Sequence, residues 1–282
     1  MRSLSILLGI LISITSFAQE LQKTEIFPFR SRANGKVGYM NENNEIIVEP
    51  QYSSGTYFGN DTYFGNEKYA AVSIKNDSIE RFAAIDLKGN YLIPFEDGYE
   101  FIGLKNTFEN WILVSKDGKY GYINEKKEVL IPLEYSNLGD FYGDLAVTEK
   151  DSQYGFIDSS NRIIIDFQYD WASDFGNIQP DGLRYAMVEK DNKTGYINSK
   201  GKLVVSFLYD FAYPFHRGLA IVKKDEKYGC VNTKGAIIIP FDFEIIDDSD
   251  EIIKARKVFT SNKEFYFDRQ GSFIGTGTIK SK

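Results

Sequence analysis

A fifteen-residue segment recurs along most of this chain, and a chain written that way must fold by stacking copies of one small unit. The segments GYMNENNEIIVEPQY, AAIDLKGNYLIPFED, GYINEKKEVLIPLEY, GFIDSSNRIIIDFQY, GYINSKGKLVVSFLY and GCVNTKGAIIIPFDF superpose without a gap. They begin at Gly38, Ala83, Gly121, Gly155, Gly195 and Gly229, and a degenerate seventh copy, FYFDRQGSFIGTG, begins at Phe265. Successive starts lie 45, 38, 34, 40, 34 and 36 residues apart. Insertions therefore fall between the alignable cores, as loops do on a repeat scaffold.

Each position of the repeat has a physical reading. Three residues after the start stands Asn41, Asp86, Asn124, Asp158, Asn198, Asn232 or Asp268, an Asx residue in every copy. Three further on come Gly89, Gly201, Gly235 and Gly271, with Asn44 and Asn161 in two copies and Lys127 as the exception. Asx at the first place of a turn and Gly at the fourth is the preference of a type I turn, in which the short polar side chain bonds the turning backbone. A mostly β-branched triplet follows, such as Ile46-Ile47-Val48, Ile163-Ile164-Ile165 or Ile237-Ile238-Ile239. Short runs of this kind bounded by turn residues are strands, and their lack of alternation predicts that both faces are covered.

Upstream of the cores lie further strand candidates: Trp111-Ile112-Leu113-Val114, Leu145-Ala146-Val147, Ala186-Met187-Val188 and Leu219-Ala220-Ile221-Val222. Charged turns such as Lys116-Asp117-Gly118-Lys119 and Lys224-Asp225-Glu226-Lys227 carry them into the next core. The repeat is thus strand, tight turn, strand, tight turn, strand and a longer loop, an antiparallel meander of three short strands. The mature chain shows no 3.6-residue apolar period that would signal a helix. One meander buries too little surface to stand alone, so the copies must stack. The expected fold is all-β, a tandem array of three-stranded meanders stacked as an open β-repeat array, with a closed β-propeller as the alternative. The degraded last copy reads as a cap and favours the open array.

At these residues the chain resembles the WG-repeat (KWG-repeat) family, whose repeat opens Lys-Trp-Gly-Phe-Ile-Asp. Lys119-Tyr120-Gly121-Tyr122-Ile123-Asn124 and Lys227-Tyr228-Gly229-Cys230-Val231-Asn232 match that opening. Tyr169-Asp170, Tyr209-Asp210 and Phe215-His216-Arg217-Gly218-Leu219-Ala220 match the family's later part. The resemblance covers nearly all of residues 34–275. One departure is consistent: Val37, Phe82, Tyr120, Tyr154, Thr194 and Tyr228 stand where the family has Trp. The resemblance implies the repeat fold and carries no general activity.

The N-terminus reads as an export signal. Arg2 supplies the positive region, Leu4 to Ile14 is almost unbroken apolar sequence, and Ser16-Phe17-Ala18 places small residues ahead of a cleavage before Gln19. Residues 1–18 are therefore expected to be a signal peptide, and 19–282 a single repeat domain of about six WG-like repeats plus a degenerate C-terminal one. Its apolar run is too short to span a bilayer, which takes about 20 residues. No segment further on has the length and apolarity of a membrane span. The mature chain is expected in the periplasm or outside the cell.

Composition excludes several function classes. The chain carries 33 Lys+Arg against 40 Asp+Glu, and loss of Arg2 with the leader makes the mature balance more negative still. Phosphate backbones are repelled by such a surface, so nucleic acid is not expected as a partner. One Cys and one His provide neither an internal disulfide, nor a Cys-rich zinc site, nor a His-based catalytic set. Cys230 occupies a position that is aromatic in neighbouring repeats and reads as a buried apolar thiol. His216, flanked by Phe215 and Arg217, reads as a surface or packing residue.

The remaining polar candidates have structural readings too. Seven Asx residues in register recur one per repeat, whereas an active site is a single constellation of unlike residues. Asp247-Asp248-Ser249-Asp250-Glu251 lacks the spacing of a calcium loop and reads as a solvated loop. Asn76-Asp77-Ser78 and Asn192-Lys193-Thr194 fit the glycosylation acceptor pattern. No catalytic or metal-ligating residue emerges, no cofactor is expected, and ligand-binding residues stay unassigned.

Aromatic residues make up 15% of the chain, which decides where a surface is to be sought. Tyr122, Phe156, Tyr196 and the tyrosines at 52, 135, 169 and 209 hold fixed repeat positions and are expected to pack between repeats. Trp111, Trp171, Tyr213, Tyr57-Phe58 and Tyr63-Phe64 break the register and are the candidates for a contact surface. The expected function is a non-enzymatic repeat protein presenting a binding or scaffolding surface to a protein or cell-envelope partner. The alternative is a carbohydrate-binding or carbohydrate-active protein using exposed aromatics against a glycan.

Overall fold

The computed structural model describes residues 25–58, 68–76, 79–104, 108, 110–249, 251–257 and 263–278. The leader at 1–18, Tyr63-Phe64, Asp77-Ser78 of the first glycosylation pattern and Asp250 lie outside the described residues. The described secondary structure is all β apart from one turn of 3-10 helix at Phe95–Asp97. Among the described residues no helix is long and apolar enough to cross a membrane.

The chain divides into two compact units, one of residues 1–105, 111–117 and 124–127, the other of 106–110, 118–123 and 128–282. Within the first lie a three-stranded sheet spanning 26–52, a four-stranded sheet spanning 54–93, and the paired strands Phe101–Gly103 and Trp111–Lys116. Within the second lie residues 119–123 paired with Val129–Tyr135 and four four-stranded sheets spanning 137–169, 171–209, 211–243 and 245–278. Every neighbouring pair in these sheets is antiparallel and consecutive in the chain.

The expected three-strand meander is present, and a short strand precedes it. Trp171–Ala172 and Phe211–Ala212, two residues each, follow one residue after the last strand of the preceding sheet. In the three-strand scheme these residues fall in the longer loop. They pair instead with the strand that follows, Trp171 opposite Glu189 and Phe211 opposite Lys223.

The Asx turns form as read. Asn41, Asp86, Asp158, Asn198, Asn232 and Asp268 each accept from the backbone N–H groups two and four residues on, at 2.8–3.1 Å. Asn124 accepts from the Lys126 N–H at 2.9 Å. The residue three after each Asx has φ between 59° and 83°, which explains Gly or Asn there and leaves Lys127 in a left-handed conformation. The charged hairpin turns have positive φ at both central residues, as in Asp117-Gly118 and Asp225-Glu226. That is the geometry whose twist matches the flanking strands.

The repeat's opening glycine answers to a fold in the last strand. In the sheet spanning 171–209, Tyr196 stands opposite Val205 and Thr194 opposite Tyr209, so the outer strand carries two extra residues between these pairs. The displaced backbone crosses over Gly195, where a Cβ would lie 2.6 Å from the Val205 carbonyl oxygen. Gly38, Gly121, Gly155 and Gly229 are crowded in the same way, at 2.5–2.7 Å. Ala83 and Phe265 occupy the equivalent place only where the extra residues are absent. After Ile93 the chain turns into Phe95–Asp97, and Phe265 pairs one to one with Thr276.

Aromatic rings fill the core between successive sheets. In four repeats the residue after the opening glycine meets the ring nineteen positions later, as Phe156 does with Phe175 at 4.8 Å and Tyr196 with Phe215 at 4.6 Å between centroids. The Tyr39, Tyr122 and Tyr196 hydroxyls each donate to the backbone carbonyl seventeen residues on. Tyr135, Tyr169 and Tyr209 meet Phe167, Phe207 and Phe241 of the following repeat. The fixed-position aromatics are thus packing residues, as expected.

One expectation is corrected: the apolar triplets are not covered on both faces. Their first residues face water, with Val129 59% and Ile237 58% exposed, while the third residues, such as Ile131 and Ile239, are fully buried. The strand lies at a sheet edge and only one of its faces meets the next layer.

Candidate ligand-binding groove

Two of the residues that break the repeat, Trp171 and Tyr213, come together. Trp171 belongs to the short strand opening the sheet spanning 171–209, and Tyr213 follows the short strand opening the sheet spanning 211–243. With Met187, Glu189, Thr194, Phe211, Ala212 and Pro214 they line a groove of about 400 Å³. Trp171, Phe211 and Tyr213 are 38%, 46% and 46% exposed. The Phe211 and Tyr213 rings stand nearly perpendicular, at 82° with centroids 5.0 Å apart.

Local structure explains these orientations. Residues directly opposite one another in an antiparallel pair project from the same face. Trp171 is opposite Glu189, and Glu189 is opposite Thr194 on the next strand. Indole, carboxylate and hydroxyl therefore form one row across the sheet, and the Thr194 hydroxyl donates to Glu189 at 3.5 Å. Tyr213 and Phe211 are two apart on an extended segment and share a side.

Sequence reading missed Phe211, Met187 and Glu189. A signal for Phe211 does exist, since its place in the repeat is taken by Ser54, Asn137, Trp171 and Ile245 elsewhere. Large rings there occur in adjacent repeats. Met187 and Glu189 join only through pairing with a segment sixteen and eighteen residues away, which no local pattern records.

The other flagged residues scatter. Phe58 packs edge-on against Tyr39 at 5.3 Å, the same contact that Phe175 and Phe215 make in later repeats, so it belongs to the core; Tyr57 beside it is 56% exposed. Trp111 is partly buried at the start of its strand. Cys230 is fully buried at the ring position of its repeat, and burial pushes its thiol up to about 12. His216 pairs with Asp248 at 3.3 Å, Arg269 reaches the same carboxylate, and Arg217 pairs with Glu251. The acid-rich loop is thus tied to neighbouring cations. Among the described residues no group of His, Cys, Asp and Glu is arranged to hold a metal ion.

A carboxyl in a second groove is also perturbed. Asp174 lines a second groove of about 350 Å³ with Tyr142, Phe175, Tyr185 and Tyr196. Desolvation, then the nearby Asp140, raises its carboxyl to about 6. Asp140 accepts from the Tyr122 hydroxyl at 3.2 Å. Asp174 is itself an exposed residue, so solvent screening limits the energy stored there.

The WG containing repeat is matched at residues 38–76, 120–154, 154–193, 195–228 and 228–251, more than half of the chain. The chain belongs to the WG-repeat family. Both groove sheets fall within the matched repeats. Among curated proteins no sequence matches this WG-repeat protein. Solved structures similar to it include a eukaryotic initiation factor, 11% identical over 91% of this chain and 85% of that one, with a TM-score of 0.45. A quinonprotein alcohol dehydrogenase-like protein from Bacteroides thetaiotaomicron is 13% identical over 90% of this chain and 75% of that one, with a TM-score of 0.35.

Proposed function

We propose that this is an exported, non-enzymatic WG-repeat protein that binds a protein or cell-envelope partner through the Trp171–Phe211–Tyr213 groove. The supporting observation is that most large rings at fixed positions are absorbed between sheets, while these stand half-exposed together where the repeat is broken. Exposed aromatics around a concave, mostly apolar surface give large contact area at small entropic cost. Export rests on Arg2 and the Leu4–Ile14 run.

The test is photo-crosslinking in intact cells. A crosslinker replacing Tyr213 should yield discrete protein adducts, and one replacing Ile163, exposed on the outer strand of another sheet, should not. If combined Trp171→Ala, Phe211→Ala and Tyr213→Ala left adducts from neighbouring positions unchanged, the groove would not be the surface.

A carbohydrate-active protein is the second reading, favoured by the raised Asp174 carboxyl, since an acid half-protonated at about pH 6 suits proton donation in mildly acidic conditions. Turnover of a glycan panel by the full chain, abolished by Asp174→Asn, would replace the first reading with this one.

A further inference from the structure

We propose that the groove receives a cation: an extended basic segment of a partner protein lays an Arg or Lys side chain among Trp171, Phe211 and Tyr213, with its charge against Glu189. This rests on the groove being the binding surface and names the chemistry it selects.

Charge and geometry carry the proposal. Glu189 is the one charged side chain lining the groove. Among the described residues it has no ion-pair partner, and its side-chain hydrogen bond, from Thr194, is at the 3.5 Å limit. Nearby cations are engaged elsewhere: Lys193 pairs with Asp210, and Lys223 pairs with Glu226 at 2.8 Å. The carboxylate therefore faces an apolar, ring-walled space with no internal counter-charge.

Aromatic faces are electronegative, and a cation within about 6 Å of a ring centre is attracted, more strongly when partly desolvated. The perpendicular Phe211 and Tyr213 rings form a corner, and the Trp171 indole lies in line with Glu189. An Arg or Lys stem packs along such rings while its head reaches a carboxylate. Acidic ligands are opposed by Glu189 and by the chain's net charge of −7. A saccharide asks for several polar partners, and beyond the Tyr213 hydroxyl and the Trp171 indole N–H only Glu189 and Thr194 supply side-chain polar groups.

The protein contains two tryptophans, so Trp111→Phe leaves Trp171 as the only indole reporter. Trp171 emission should change saturably on titration with a capped hexa-arginine peptide. Capped hexaglutamine and cellohexaose should leave it flat. Glu189→Gln should weaken the arginine peptide about tenfold, equivalent to about 1.4 kcal/mol. Glu149→Gln removes the same charge at the matching place of the preceding sheet and should change affinity less than twofold. Circular dichroism establishes that both variants are folded.

Equal weakening by the two substitutions would reduce the effect to general acidity and overturn the proposal. A flat response to hexa-arginine, or a response to cellohexaose or hexaglutamine as strong, would also overturn it. Either result, with groove-dependent cross-links still forming in cells, defeats the cation alone. Cross-links indifferent to the groove defeat the binding reading itself.

Discussion

Gly195 has no room for a methyl group beneath the Val205 carbonyl. Gly195→Ala should therefore lower stability by about 1–3 kcal/mol, the usual penalty of overpacking against backbone that cannot yield. Ala83→Gly, at the same repeat position without the crossing strand, should cost only about 0.5–1 kcal/mol through chain entropy. Urea unfolding of both variants checks the contrast. Glu226 poses the opposite case, since a residue carrying a Cβ is held at φ 63° in a two-residue turn. Glu226→Gly should stabilise by about 1 kcal/mol, the relief of left-handed strain less the small worth of the exposed Lys223 pair. A higher urea midpoint with unchanged slope is the expected reading.

At the scale of elements, the Asx turns and Asp174 oppose each other in acid. Asp158 is held below the usual carboxylate range, first by its bond from Arg162 and then by backbone N–H groups. A lowered folded pKa contributes stability above the unfolded value of about 3.9 and loses it as pH falls through the folded one. Asp174 is raised to about 6, so its contribution is complete below about pH 3.9 and lost as pH rises toward 6. Asp158→Asn, which keeps an acceptor as Asn198 and Asn232 do, should flatten the acid limb below about pH 4. Asp174→Asn should flatten the melting temperature between about pH 4 and 6 and leave the acid limb alone. Melting curves across pH separate the two. The turns were legible in the sequence because an Asx oxygen and the N–H groups it captures lie within four residues. The short strand Trp171–Ala172 was not, because two residues carry no period and their partner, Glu189, lies eighteen positions away. The groove shares that origin: two of its rings broke the repeat visibly, while its carboxylate came from a strand that looked ordinary.

At the scale of the whole molecule, a stacked repeat leaves each core dependent on the sheet that follows. Leu219, Ile221, Cys230 and Ile239 are buried together with Ile253, Ala255 and Phe267 of the sheet spanning 245–278. That last sheet contains the degenerate repeat, and its register runs nearly one to one where the earlier sheets carry extra residues. Cys230 makes the dependence measurable. In the intact protein its thiol is protonated and inaccessible, and a thiol reagent should label it only as fast as the protein opens. Removing residues 245–282 takes away Ile253, Ala255 and Phe267 and uncovers that face. Labelling of Cys230 under native conditions should then become rapid, the melting temperature should fall, and a dye for exposed apolar surface should bind. Unchanged protection of Cys230 in the shortened chain would mean that the preceding sheets close over it unaided, and that the sheet spanning 245–278 is not what shields it.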